Sequence, residues 1–168
     1  MVYFDSDDRR SWQEGGVWPH STHGGFVEAI AAAYFIKQGY QVLSEFCTTR
    51  RKVGRPHGLL QHSTLLMHDI VGDEVSCFLC NEVAVHNPKG YGEPDLFVFR
   101  EDHPNDPKIH FDDPRLWFFV EVKGPGDKVR DNQKAWWSEF ADRFGSDRIR
   151  LVRAVPHGRV IEPKIIEY

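Results

Sequence analysis

A chain of 168 residues, 40% hydrophobic and 27% charged, has the size and make-up of a single folded domain, 1–168, with a real core. Its net charge of −4 excludes a protein that coats nucleic acid by bulk attraction, while leaving room for a local basic groove. No apolar run is long enough to cross a bilayer, the start MVYFDSDDRR lacks the layout of a secretory signal, and the three cysteines Cys47, Cys77 and Cys80 suit reduced thiols, so a cytoplasmic or nucleoid-associated protein without a membrane partner is expected.

In chain order, residues 1–23 read as an irregular arm packed by Trp12 and Trp18. From Gly25 to Gln38 the sequence GFVEAIAAAYFIKQ predicts a helix, capped from Ser21 or Thr22 and ended by Gly39. That helix is apolar almost all round, yet Glu28 lies at helical spacing with Ala31, Ala32 and Phe35. The plain explanation is an acid favoured by the amino-terminal dipole at the domain edge. Tyr40 to Cys47 reads as a strand. Thr48 to His57 follows, with Arg50, Arg51, Lys52 and Arg55 and no acid among them. Leu59 to Ile70 predicts a short helix and Glu74 to Val85, EVSCFLCNEVAV, another strand. Residues from about 50 to 85 are read as an insertion between core elements, with the alternative that the later strand is the true first one.

Gly90 to Phe99, GYGEPDLFVF, enters a strand through a Gly-rich turn, with Pro94 at its start and Asp95, Phe97 and Phe99 on one face. A polar loop, Arg100 to Arg115, links it to LWFFVEVKGPG, Leu116 to Gly126. In an extended segment Trp117, Phe119, Glu121 and Lys123 share one face, and Leu116, Phe118, Val120 and Val122 the other. Both faces look buried, so a carboxylate and an ammonium there are costly unless each has a partner, a metal ion or a substrate charge. Gly-Pro-Gly ends the strand and sets the pair at its carboxyl end, where sheet proteins commonly open a cleft. Asp131 or Asn132 then caps a helix whose inward stripe is Gln133, Trp136, Trp137, Phe140 and Phe144. Gln133, the polar member, either faces solvent in the first turn or points at whatever the acids bind. Arg148 to Val155 and Arg159 to Ile166 read as further strands.

Glu28, Asp95, Glu121 and Lys123 are thus candidates for one cleft. Clustered carboxylates raise one another's pKa unless a hard cation neutralises them, and oxygen ligands suit Mg2+ or Mn2+. A lysine beside them complements an anion, a combination suited to phosphoryl chemistry.

Pro94-Asp95 followed by Glu121-Val122-Lys123 resembles the PD-(D/E)xK nuclease motif, and EVKGPGDKVRDNQKAW, Glu121 to Trp136, closely resembles the VRR-NUC branch of that superfamily. The resemblance covers the helix at Gly25 and most of Tyr91 to Val155. It implies an α/β (α+β), restriction-endonuclease-like αβββαβ core, a central mixed sheet flanked by helices. It implies Asp95, Glu121, the Val122 carbonyl and Glu28 as metal-binding groups, Lys123 as the residue that orients the attacking water, and Gln133 as the helix-borne glutamine of the site. The reaction implied is Mg2+- or Mn2+-dependent phosphodiester hydrolysis of DNA, leaving a 5′-phosphate and a 3′-hydroxyl, with branched, flap or junction DNA favoured and a role in DNA repair. Stand-alone members tend to be homodimers. The arm and the insertion depart from that compact form and are places where substrate choice, a dimer surface or a protein partner would be affected. Arg50, Arg51, Lys52, Arg55, Lys128, Arg130, Arg148 and Arg150, together with Arg153, are candidate backbone contacts, since an acidic site needs flanking positive charge to accept a polyanion.

Three rival readings remain on the sequence alone. A nuclease fold kept only for binding DNA or protein is one, though the intact Asp95, Glu121 and Lys123 set speaks against it. A sequence-specific restriction or defence nuclease is another, and hydrolysis of RNA a third. Cys77-x-x-Cys80 invites zinc, but the second ligand pair of a structural site is absent, and on a strand the two thiols would face opposite ways.

Overall fold

The computed structural model describes residues 2–4, 25–44, 46, 58–83, 92–100 and 116–156, with the backbone alone for 2–4, 58–61 and 82–83. The elements are strand β1 (Val2–Phe4), helix α1 (Phe26–Lys37), strand β2 (Gln41–Leu43), helix α2 (Gly58–Phe78) continued by a π-helical turn (Leu79–Val83), strands β3 (Leu96–Phe99) and β4 (Trp117–Lys123), helix α3 (Asp131–Phe144), a 3-10 turn (Ser146–Arg148) and strand β5 (Ile149–Pro156).

The sheet order is β1-β5-β4-β3-β2. Strands β2, β3 and β4 run antiparallel in sequence, while β5 lies parallel to β4 and β1 parallel to β5. The sheet is therefore mixed. The order α1-β2-β3-β4-α3-β5 is the expected αβββαβ core, with α2 set between β2 and β3 and β1 added at the edge.

Every residue of β4 is buried, because the strand lies between two apolar layers. Phe97, Phe99, Trp117 and Phe119 pack with Met67, Val71, Val75, Phe78 and Leu79 from α2 and its extension, and with Trp136, Trp137 and Phe140 from α3. On the opposite face Leu96, Val98, Phe118, Val120, Val122 and Val152 pack against Ala31 and Phe35 of α1. The aromatic rings interlock largely edge to face, as at Phe119 with Trp136 and Phe140 (87° and 88°), the arrangement ring quadrupoles favour.

Several expectations are corrected. Glu74–Val85 is not a strand: its described part is helical, and with it the predicted helix 59–70 becomes one long broken helix. The break is at Gly72, whose φ of 79° and ψ of 172° lie in a region that only glycine enters readily. Ser76 spans the break, its hydroxyl donating to the His68 carbonyl (3.1 Å) and meeting His68 Nδ1 (2.9 Å). Cys77 and Cys80 thus sit three apart on helical backbone, the first exposed and the second partly so, rather than on opposite faces of a strand. The start of the supposed arm, Val2–Phe4, is a strand. Helix α1 begins at Phe26 after Gly25 at φ 95°, which carries no side-chain cap, and the predicted cap residues Ser21 and Thr22 lie outside the described residues. Its end is as read: Gly39 at φ 83° donates to the Ile36 carbonyl at 3.0 Å. The predicted strand 159–166 lies outside the described residues. No described helix is long and apolar enough to cross a membrane.

A Cβ at Gly72 would meet nothing within 4 Å among the described residues, so the cost of Gly72→Ala is taken as backbone strain. Urea denaturation should show a loss of about 1–3 kcal/mol. A change below about 0.5 kcal/mol would mean that the break does not need glycine.

Candidate active site

The site forms at the carboxyl end of β4. Leu96 lies opposite Val120, and one step further along the antiparallel register brings Asp95 level with Glu121. Asp95 is fixed there by the Val122 backbone N–H, which donates to its Oδ2 at 2.8 Å. The amino end of α1 reaches the same place: a Cβ on Gly124 would lie 3.6 Å from Val27 Cγ1, and the Glu28 carboxylate is near enough to raise the pKa of Asp95. Three carboxylates, from the residue before β3, from β4 and from α1, therefore share one region, as the sequence order suggests.

Glu121 is fully buried and Lys123 nearly so. Glu121 Oε1 accepts hydrogen bonds from both Lys123 Nζ and Gln133 Nε2. The other end of the Gln133 amide is also used, since its Oε1 accepts from the Arg130 backbone N–H at 3.0 Å. That bond closes the first turn of α3, so Arg130, rather than Asp131 or Asn132, is the residue before the helix. Gln133, 2% exposed, is a two-ended clamp between the helix start and the acidic strand. The clamp depends on a close approach from the other side. A Cβ on Gly92 (φ 104°) would come within 2.6 Å of the Asn132 carbonyl oxygen, so only glycine lets the turn before β3 pack against the first turn of α3.

Burial raises the pKa of Glu121 to about 7, helped by the Asp95 charge and opposed by Lys123 and Gln133. Asp95 is raised too, first by burial, then by the Glu28 charge, with the Val122 N–H pulling the other way. The acids are thus in electrostatic conflict, and the conflict leaves orphaned atoms. Glu121 Oε2 and Glu28 Oε2 are buried and accept no hydrogen bond from any described residue. Among the described residues no three His, Cys, Asp or Glu side chains converge as a finished metal cage. Two carboxylates with one free buried oxygen, mutually repelling, and a third acid at longer range still fit a hard divalent cation that keeps part of its water shell, as Mg2+ does.

The candidate nucleic-acid contacts sort differently. Lys128 and Arg130 are exposed on the loop before α3. Arg148 is not available to a ligand: it is 4% exposed, its guanidinium lies 4.0 Å from the Trp117 ring centroid, and its Nη1 donates to the Trp117 carbonyl at 3.3 Å. Arg150 is half-buried with its guanidinium 3.5 Å from the Phe118 centroid. Arg50, Arg51, Lys52 and Arg55 lie outside the described residues. Sequence reasoning passed over Asp127. Its Oδ2 accepts from the Gly124 N–H at 2.8 Å and its carbonyl receives Arg153 Nη1 at 3.2 Å, so it shapes the turn that ends β4. The signal was present, since an aspartate four residues past a strand end in a Gly-Pro-Gly-Asp turn commonly folds back on the backbone.

Residues 72–153 match the model of the VRR-NUC domain. Over these residues the chain is similar to the VRR-NUC domain. The match begins at the break in α2 and ends at Arg153, and so includes Asp95, Glu121, Lys123 and Gln133. Glu28 precedes the VRR-NUC match and reaches the site through the fold. No curated protein sequence matches the chain. Among solved structures the chain is similar to a crystal structure of paFAN1 bound to 2-nt 5′-flap DNA with a gap, at 20% identity and a TM-score of 0.29 over 91% of this chain and 22% of that one. It therefore spans a small part of that protein's length.

A buried carboxyl whose folded pKa is raised binds its proton more tightly folded than unfolded. Its contribution therefore favours folding below about pH 4.5 and is lost as pH rises towards about 7. In EDTA, Glu121→Gln should gain melting temperature relative to the wild type as pH is raised through that window. Parallel melting curves for the two proteins would show that Glu121 ionises as freely folded as unfolded.

Proposed function

We propose that the chain is a divalent-metal-dependent nuclease that hydrolyses DNA phosphodiester bonds by in-line attack of water, with branched DNA, a flap or a junction, as its preferred substrate. The observation that carries this reading is the buried Glu121, with Oε1 held by two donors and Oε2 left without one beside Asp95. An enzyme-bound cation is the simplest partner for that oxygen. Asp95 and Glu121 would hold it, with the Val122 carbonyl and Glu28 in support. Bound there, Mg2+ or Mn2+ would offset the carboxylate charge, acidify a water and draw phosphate oxygens in.

The chain's own residues do the rest. The Val122 N–H and Gln133 keep Asp95 and Glu121 in fixed orientations, so little reorganisation is needed as charge develops. Lys123 is the one ammonium on the catalytic face of β4; once the acids are neutralised it is free to orient the attacking water and to offset charge on the phosphoryl group. Gln133 acts as a positioning residue, because both ends of its amide are engaged within the protein. Water attack would leave a 5′-phosphate and a 3′-hydroxyl. Lys128 and Arg130, exposed beside the site, would contact backbone phosphates and make binding salt-sensitive.

The test is cleavage of labelled duplex, single-stranded, flap and four-way-junction DNA in Mg2+, Mn2+ or EDTA. Asp95→Ala should give no product, and Lys123→Ala should lose at least about 10³-fold in rate while keeping much of its DNA affinity, since the ammonium acts on the transition state. Substantial turnover by Lys123→Ala would remove this mechanism. Tight, metal-independent binding with no product from the wild type would make the chain a binding module.

A further inference from the structure

The end of the chain's described part carries three arginines, and the fold gives them three different surroundings. Arg148 is spent on the Trp117 ring and carbonyl. Arg150 lies over Phe118, on the face covered by α1. Arg153 is placed otherwise.

In the parallel pairing of β4 with β5, Arg153 is the partner of Lys123 and Leu151 the partner of Glu121. Partners in register point to the same face of a sheet, and Leu151 indeed packs on the α3 side with Trp117 and Phe119. Arg153 therefore rises on the catalytic face, one strand spacing, about 4.8 Å, from the lysine. Its guanidinium makes one hydrogen bond to the described residues, to a neutral acceptor, the Asp127 carbonyl (3.2 Å). No carboxylate among the described residues forms an ion pair with it. Asp127, whose carbonyl Arg153 meets, turns its Oδ2 to the Gly124 N–H instead. Lys123, by contrast, is already paired with Glu121.

A guanidinium steadied by a carbonyl, with its remaining N–H donors unspent and no counter-charge among the described residues, is an anion site in waiting. It does not serve to balance the acids, since it pairs with none of them. We propose that Arg153 binds a single backbone phosphate at or next to the scissile bond, and that Asp127 is the positioning residue that aims it. The proposal rests on the nuclease reading above. It separates Arg153 from Lys128 and Arg130, which on the exposed loop would contact phosphates away from the reacting atoms. A planar fork can take two oxygens of one phosphate, which a lysine cannot do. Its loss should therefore act on the chemical step more than on affinity, because affinity for a long duplex is spread over many phosphates.

The test uses the whole protein and a labelled 5′-flap duplex in Mg2+, under single-turnover conditions at saturating protein. Arg153→Met should lower the rate about 10²-fold with a much smaller change in Kd, and Arg153→Lys should restore part of the rate. Neutral methylphosphonates are then placed one at a time around the cleavage site. One position should slow the wild type by a factor similar to that of Arg153→Met while slowing Arg153→Met no further; Arg150→Met should remain sensitive at that position. A wild-type rate in Arg153→Met would overturn the assignment. So would a slow Arg153→Met that responds to every methylphosphonate as the wild type does, which would make the arginine only a support for the 124–127 turn. A wild type that gives no metal-dependent product sinks the nuclease reading and this proposal together, whereas a cleaving wild type indifferent to Arg153 sinks only the latter.

Discussion

The structure is organised around the burial of one carboxylate. Glu121 lies in a strand whose every residue is buried, with aromatic rings two residues before it on its own face and valines on the other. An isolated ionised group there would be untenable, because the desolvation of a buried charge amounts to several kcal/mol even after relaxation. The fold answers with Lys123 from the same strand and Gln133 from the next helix, both on Oε1. The balance remains unfavourable, since Glu121 still holds its proton to about pH 7 with Asp95 beside it. Ion pairing in the protein alone does not finish the site. Neighbouring features follow from the same constraint: the glycine at 92 that lets α3 begin against the site, the amide clamp to Arg130, and the turn held by Asp127 that stops β4 just past Lys123.

Much of this was legible in the chain because local periodicity and tertiary burial agree there. Strand β4 reads correctly since its two faces alternate between two apolar layers, and the charged pair stands out against them. The inward stripe of α3 was equally plain, with Gln133 as its odd member. What the periodicity did not supply was the use of both ends of that amide, which depends on a helix start one residue earlier than the acidic caps suggested.

The segment around 70–85 was misread for a physical reason. Leu59–Ile70 and Glu74–Val85 were read as separate elements on either side of Val71-Gly72-Asp73, a stretch that has the look of a turn. The buried residues Met67, Val71, Val75, Phe78 and Leu79 nonetheless keep a helical spacing of three or four straight through the glycine. A single glycine at φ 79° redirects the backbone without ending helical structure, and no local signal separates that from a turn. Strand β1 is invisible for the opposite reason: its three residues pair with β5, and nothing within such a short run announces a partner some 150 positions away.

The arginines of the last strand show how far spacing can go once one register is known. Arg150 and Arg153 are separated by an odd number of positions, so on a strand they must face opposite sides of the sheet. Alternation alone therefore rules out one common role for the two. It cannot say which of them faces the acids; that follows only from the parallel pairing that sets Lys123 beside Arg153 and Val120 beside Arg150. Nor can it show that Arg148, before the strand begins, is drawn under Trp117. Positive charge near an acidic site is thus a poor guide to ligand contact by itself. What distinguishes Arg153 is that it stands partly exposed beside Lys123 while a neutral carbonyl holds it in place, a geometry that orders the guanidinium without cancelling its charge.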